Sequence, residues 1–85
     1  MRVTVAVLVA RAVADILDSA RGGARKTHLM YHCNMSFVQL KKYLKWLIKT
    51  RLVFVENNGS WRLFRISDKG RSFLESYESL KALME

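Results

Sequence analysis

A run of basic side chains without carboxylates is the part of this sequence whose chemistry is clearest. The 85 residues include 15 Lys or Arg and 7 Asp or Glu, which gives a formal net charge of +8 at pH 7. Residues 19–55 contain no acid and carry the whole excess, as Arg21, Arg25, Lys26, Lys41, Lys42, Lys45, Lys49 and Arg51. Cations concentrated in this way favour a polyanionic partner. A charge that only aids solubility would be more scattered.

The densest part of this run, residues 36–50, has the period of an amphipathic helix. Its apolar stripe is predicted to consist of Phe37, Leu40, Leu44, Leu47 and Ile48, with Tyr43 at its edge. The opposite side carries Val38, Gln39, Lys42, Lys45, Trp46 and Lys49, with Lys41 flanking. Ser36 and Gln39 have the spacing of a capping box, which places the helix start at Ser36. Because no Glu is interleaved with the lysines, this face is expected to meet something other than water.

A basic helix of this kind suits the major groove of double-stranded DNA, where its first half would reach base edges. Gln39 can pair with adenine, Lys42 can donate to guanine, and Val38 can touch a thymine methyl group, with Ser36 beside them. Phosphate contacts are predicted for Lys41, Lys45, Lys49, Arg25 and Lys26. Two alternatives remain: Gln39 only caps the helix, and the lysines form a solvated face.

Two helices are expected to position the basic helix. The first has the apolar face Val9, Val13, Ile16, Leu17 and Ala20 and is stopped by Gly22-Gly23. Residues 2–6 are β-branched and fit either a short strand or the start of this helix. Thr27 is predicted to cap a second helix over residues 27–33. Asn34 tolerates a left-handed conformation, so residues 33–35 predict the turn of a helix-turn-helix.

After Arg51 the apolar period changes from 3.6 to 2. Two β-rich runs are separated by Asn57-Asn58-Gly59-Ser60, in which Asn58-Gly59 predicts a type I′ turn. We therefore expect a β-hairpin over residues 52–66. Arg62 and Arg65 of this wing could reach the flanking backbone or minor groove, or could simply be edge charges that discourage aggregation. Ser67 is predicted to cap a last helix. Its seam at heptad spacing, a candidate dimerisation surface, consists of Phe73, Tyr77, Leu80 and Met84.

The order helix, helix, helix, hairpin, helix predicts one α+β domain over residues 1–85. The fold class is a winged helix-turn-helix, with a three-helix core, a β-hairpin wing and a C-terminal helix. The two tryptophans are not assigned by this pattern. Trp46 and Trp61 could pack beneath the wing or against a partner subunit, or could stack on nucleic acid.

The ordered pattern resembles the small archaeal winged-helix DNA-binding proteins, which are described as predicted transcriptional regulators or nucleoid-associated proteins. The matching features are Lys26-Thr27, Asn34-Met35-Ser36, the spacing of Leu40, Tyr43, Leu44 and Leu47, and Ile66-Ser67-Asp68-Lys69-Gly70. The resemblance covers roughly residues 12–80. It implies a homodimer, often formed through the C-terminal helix, with the third helix in the major groove.

Several other functions are not expected. No catalytic constellation or phosphate-cradling Gly-rich loop is present, so we predict neither an enzyme nor a cofactor. His28 and His32 have metal-ligand spacing without a second ligand pair, so no metal is predicted, and both are expected near phosphate. The single Cys33 is read as a small core residue in a protein of the reducing cytoplasm. No run is long enough to span a membrane.

The sequence therefore predicts a cytoplasmic, nucleoid-associated and homodimeric DNA-binding transcriptional regulator. Two other functions compete with this prediction. One is a nucleoid or chromatin protein that tolerates many DNA sequences, and the other is a winged helix that binds an acidic protein partner.

Overall fold

The computed structural model describes the backbone of residues 2–84 and the side-chain surroundings of residues 6–83. Its elements, in chain order, are α1 (Arg2–Ser19), α2 (Lys26–His32), α3 (Phe37–Lys49), β1 (Val53–Asn58), β2 (Trp61–Ile66) and α4 (Asp68–Met84). The predicted α+β winged helix-turn-helix is confirmed. Residues 2–6 are helical, which decides between the two structures left open for them.

The four helices and the hairpin share one apolar core. Its side chains include Val13, Ile16, Leu17, Leu29, Leu40, Leu44, Leu47, Leu52, Val53, Phe64, Ile66 and Leu74. Every fully buried side chain among the described residues is apolar. Burial of each large aliphatic side chain contributes roughly 1.5–3 kcal/mol, so the core fixes the orientation of α3 by its apolar stripe.

The ends of the predicted apolar stripes lie outside this core. Phe37 and Ile48 of α3 are 44% and 39% exposed, and Val9 of α1 is 44% exposed. The prediction that these three side chains point inward is therefore wrong. Periodicity assigns a residue to a helix face, but it does not show how far along that face the neighbouring helices reach.

The predicted start of α2 is also wrong. The helix begins at Lys26, and the capping position is Arg25, which makes no side-chain capping bond; Thr27 lies inside the first turn. The reason is a tertiary contact just upstream. Ala24 pairs with Phe64 through two backbone hydrogen bonds of 2.9 and 2.8 Å, which hold the chain extended up to Arg25.

Both ends of α3 follow local rules. Asn34 adopts a left-handed conformation with φ 52°, as the turn required. The predicted capping box is confirmed: Gln39 N donates to Ser36 Oγ and Ser36 N donates to Gln39 Oε1, both at 3.2 Å. At the other end Arg51 is left-handed with φ 63°, and Leu52 N donates to Leu47 O. The chain therefore enters β1 directly from the basic helix.

The wing is a two-stranded antiparallel hairpin in which Val53 pairs with Ile66 and Asn58 pairs with Trp61. Its turn is not the predicted type I′ turn of Asn58-Gly59. Asn58 belongs to β1 and has no positive φ, whereas Gly59, with φ 63°, is the first residue of a two-residue turn with Ser60. Glycine at the first central position is the requirement of a type II′ turn, which suits the strand twist equally well.

Ser67 caps α4, as predicted, and it also links the start of α4 to Arg51 just after α3. Its hydroxyl accepts a 3.0 Å hydrogen bond from Gly70 N and donates to Arg51 O at 2.6 Å. From there α4 packs on α1 through Leu74, which is buried. The C-terminal helix, with 17 residues, therefore packs against both α1 and β2.

Cys33 lies at the end of α2, half-buried against the core, with its Sγ 3.8 Å from Ser19 Oγ. Burial raises the pKa of the Cys33 thiol, a contact with Ser19 lowers it, and the charge of Asp15 raises it, with a net upward shift. Since the thiolate is the nucleophile, we expect alkylation by iodoacetamide at pH 8 to be at least about tenfold slower than in guanidinium-unfolded protein. Equal rates in the two states would show that the thiol is open to solvent.

Candidate nucleic-acid interface

The outermost strip of α3 is formed by Val38, Lys42, Lys45 and Lys49, which are all exposed. The burial of Leu40, Leu44 and Leu47 forces this arrangement, because the strip lies half a helical turn away from them. Lys41 is exposed on one flank of the strip and Gln39 on the other. The structure therefore brings the predicted residues of this helix together on one convex face.

The lysines of this strip have no acidic partner among the described residues. Four ion pairs connect described side chains: Arg21–Asp18, Arg21–Glu78, Arg65–Glu56 and Arg71–Asp68. None of them involves α3. The positive field of this face is therefore not neutralised by neighbouring carboxylates, and an external anion would meet it directly.

Gln39 has a more restricted chemistry than the sequence suggested. Its Oε1 accepts from Ser36 N and, at 3.4 Å, from Ser36 Oγ. A bidentate pair with adenine needs the same oxygen as acceptor, so base reading by Gln39 would compete with the helix cap. The amide nitrogen remains available as a donor.

Two basic residues at the start of α2 lie over aromatic rings. The Arg25 guanidinium carbon lies 3.2 Å from the centroid of the Trp61 ring, and Lys26 Nζ lies 4.6 Å from that of Phe37. Cation–π contacts of this kind hold a charge in place without neutralising it. Trp61, which the sequence left unassigned, connects the wing to the start of α2 through its contact with Arg25. In the same way, the contact between Phe37 and Lys26 connects the start of α3 to the start of α2.

The two wing arginines differ. Arg62 is exposed on β2, opposite Asn57. Arg65 is partly buried, donates to Glu56 Oε2 at 2.6 Å and packs against Gly23. Its charge is therefore paired within the domain, in agreement with a structural role, while the charge of Arg62 faces solvent.

The comparisons with known proteins agree with this architecture. The sequence matches the winged helix-turn-helix family over residues 10–85. The chain belongs to this family. A search of curated proteins finds no matching sequence.

Solved structures show the same winged helix-turn-helix fold at low sequence identity. Sso10a-2, a DNA-binding protein from Sulfolobus solfataricus, aligns with a TM-score of 0.79 and 20% identity over 88% of this chain and 79% of its own. MepR, a transcription regulator of the Staphylococcus aureus multidrug efflux pump MepA, aligns at 0.75 and 10% identity over 88% of this chain and 56% of its own. A MepR mutant bound to an oligodeoxyribonucleotide aligns at 0.74, with the same identity and coverage.

On the outer face of α2, this winged helix-turn-helix chain exposes a residue that the sequence analysis overlooked. Tyr31 is 93% exposed and lines a shallow surface with Arg25, Thr27 and the two histidines. The rings of His28 and His32 stack with centroids 5.4 Å apart, and His32 Nδ1 lies 3.0 Å from Ser19 Oγ. The sequence signal for this exposure was the position of Tyr31 directly after the inward-facing pair Leu29-Met30, which places its side chain off the apolar face of α2.

The predicted dimerisation seam on α4 divides into two parts. Phe73 and Tyr77 are partly buried against the domain's own core, so they pack within the protomer. Leu80 is 57% exposed, and the nearby Leu83 is 85% exposed. The side chain of Met84 lies outside the described residues. In the part of the chain that the structure describes, no helix is long and apolar enough to cross a bilayer.

Proposed function

We propose that this chain is a DNA-binding transcriptional regulator that inserts α3 into the major groove, with the wing over flanking backbone or minor groove. The observation that carries the proposal is the exposed strip of lysines on α3, which has no acidic partner among the described residues. The folds of Sso10a-2, a DNA-binding protein, and of MepR, a transcription regulator, align with this chain and support the same function.

In this arrangement phosphate contacts supply most of the affinity. We assign the phosphates along the major groove to Lys41, Lys45 and Lys49. The phosphates of the DNA backbone near the start of α2 are assigned to Arg25 and Lys26. Arg62 serves the wing side. Base edges are left to Ser36, Val38, Gln39 and Lys42 at the first turns of α3. Since Arg65 forms an ion pair with Glu56, we propose that it stabilises the wing and does not contact the DNA.

The proposal predicts a strong dependence on salt. With roughly four to six phosphates neutralised per protomer, log K for duplex DNA should fall against log salt with a slope of about −4 to −5. Fluorescence anisotropy of a labelled duplex, titrated at several KCl concentrations, measures this slope. A flat response would mean that the lysine strip does not face the DNA.

Two observations favour a second candidate function, a nucleoid protein that tolerates many sequences. The strip of α3 consists mainly of lysines, and the oxygen of Gln39 is engaged in the helix cap. Both features weaken base reading relative to phosphate binding. A preference of only about tenfold between the best and the average duplex, rather than about 10³ or more, would favour this candidate.

We also propose that the protein acts as a homodimer through the exposed end of α4. Leu80 and Leu83 project into solvent in this protomer, and a symmetric contact between two copies would cover them. We expect Leu80→Glu to convert dimers to monomers at micromolar concentration. Sedimentation equilibrium measures this, with Glu78→Gln as the control on the same helix. Dimers that persist in the Leu80 variant would place the interface elsewhere.

A further inference from the structure

The flank of α3 that faces α1 forms a groove to which the proposed function assigns no ligand. Its volume is about 480 Å³, and its lining residues are Val9, Val13, Gln39, Lys42, Tyr43 and Trp46. The volume falls within the range of about 300–1,000 Å³ that small-molecule sites occupy. Trp46, which the sequence left unassigned, is 48% exposed and lines the apolar wall of this groove together with Val9 and Val13.

The polar groups of the groove supply mainly donors, and the hydroxyl of Tyr43 can both donate and accept. Lys42 contributes an ammonium group, which has no acceptor. Gln39 has its Oε1 turned to Ser36 N, so its amide NH₂ is the part that can serve a ligand. The lining contains no carboxylate. Two donors above apolar and aromatic walls are complementary to a molecule with an anionic head and an apolar body.

We propose that this groove binds a small amphipathic carboxylate, with the head between Lys42 and Gln39 and the apolar part against Val9, Val13 and Trp46. A bound acid would occupy Lys42 and Gln39, two of the side chains assigned to base edges. The same molecule would therefore compete with DNA, a consequence that rests on the proposed function. Binding of the acid itself does not depend on it.

Sodium octanoate is the probe, and Trp46 fluorescence is the readout. The Trp61→Phe variant leaves Trp46 as the single tryptophan and retains an aromatic ring beneath Arg25. In the absence of DNA and at constant ionic strength, we expect saturable binding with half-saturation at or below about 1 mM. Octanamide, which has the same apolar chain without the charge, should bind at least about fivefold more weakly.

Two lysine substitutions in the same background locate the head group. Lys42→Gln should weaken octanoate binding by about five- to tenfold and leave octanamide unchanged. Lys49→Gln removes the same charge from α3 outside the groove and should leave octanoate binding within about twofold, apart from general screening. Equal effects of the two substitutions, non-saturable titration or equal affinity for octanamide would overturn the proposal. So would a Trp46 emission that depends on protein concentration alone, since a second copy would then fill the groove.

A separate measurement addresses competition. Octanoate at saturating concentration should displace a labelled duplex from the unsubstituted protein at constant ionic strength, and octanamide should not. If octanoate binds and the protein has no affinity for any duplex, the groove proposal stands and the proposed function fails. If the protein binds DNA and does not bind octanoate, the proposed function stands and the groove proposal fails.

Discussion

The double substitution Lys42→Glu and Lys45→Glu is expected to weaken binding to duplex DNA by at least about a hundredfold near 0.1 M salt. Both side chains lie on the exposed strip of α3, and neither has an acidic partner among the described residues. Lys45 loses a phosphate contact and its released counterion, which is worth roughly tenfold at this salt concentration. Lys42 loses a contact to a base edge, which is worth about 1–3 kcal/mol. The introduced carboxylates add repulsion. The slope of log K against log salt should become less steep by about 1 through the loss of the Lys45 contact.

A control with the same change in net charge separates this local effect from a general one. Arg11→Glu with Arg71→Glu alters two exposed positions, one on α1 and one on α4, that the proposal assigns neither to the DNA nor to the dimer contact. Arg71 loses an exposed ion pair with Asp68, which is worth little. We expect this control to weaken binding by less than about tenfold, through long-range charge alone. Equal losses in the two double variants would contradict the assignment of α3, and unaltered binding in the first would favour a protein-interaction module.

The features that local chemistry decides could be predicted from the sequence. The apolar residues Leu40, Leu44 and Leu47 oriented α3, and the capping box of Ser36 and Gln39 fixed its start. The change of period after Arg51 predicted the wing, and Asn34 predicted the turn. In each case the residues that determine the structure lie within a few positions of one another, so no knowledge of the tertiary fold was needed.

The features that distant contacts decide could not be predicted. The start of α2 depends on the pairing of Ala24 with Phe64, 40 positions along the chain. The exposure of Phe37, Ile48 and Val9 depends on where neighbouring helices end. The type of the wing turn depends on the strand register, which made Asn58 a strand residue and left Gly59 to provide the positive φ.

The candidate site shows the same division. The exposure of the lysines followed from the helical period, but the state of the other cations depended on cross-element contacts. Arg25 rests on Trp61 of the wing, and Arg65 is paired with Glu56 on the opposite strand. The groove beside Trp46 is lined by Val9 and Val13 of α1 together with residues of α3, an arrangement that no stretch of sequence encodes by itself.

Gly70 lies where α4 passes close to the backbone of Leu52, and its replacement by alanine is expected to be strongly destabilising. A Cβ at this position would overlap the backbone oxygen of Leu52 and come within 2.8 Å of Ile66 Cγ1. Neither atom can move cheaply. Leu52 O is a backbone atom that already accepts hydrogen bonds from Ser67, and the side chain of Ile66 is fully buried in the core. A glycine inside a helix costs about 1 kcal/mol relative to alanine, so the close approach of the backbones accounts for its presence here.

We expect Gly70→Ala to lower the free energy of unfolding by about 3 kcal/mol. Overpacking contributes roughly 1–3 kcal/mol, and displacement of α4 would also strain the cap that Ser67 makes with Gly70 N. Better helix propensity returns about 1 kcal/mol of this loss. Urea unfolding followed by circular dichroism measures the difference. The loss would be a large part of the stability of a domain of this size, about 5–15 kcal/mol.

Gly22→Ala is the matched control, since it makes the same chemical change at an open position. A Cβ at Gly22 would meet no atom within 4 Å, and the residue has no positive φ. We expect its unfolding free energy to stay within about 0.5 kcal/mol of the unsubstituted protein. If Gly70→Ala behaved like this control, α4 could not pass as close to Leu52 as the structure shows. Because Ser67 links the start of α4 to Arg51, two residues after the end of α3, the orientation of the lysine strip would then need a different support.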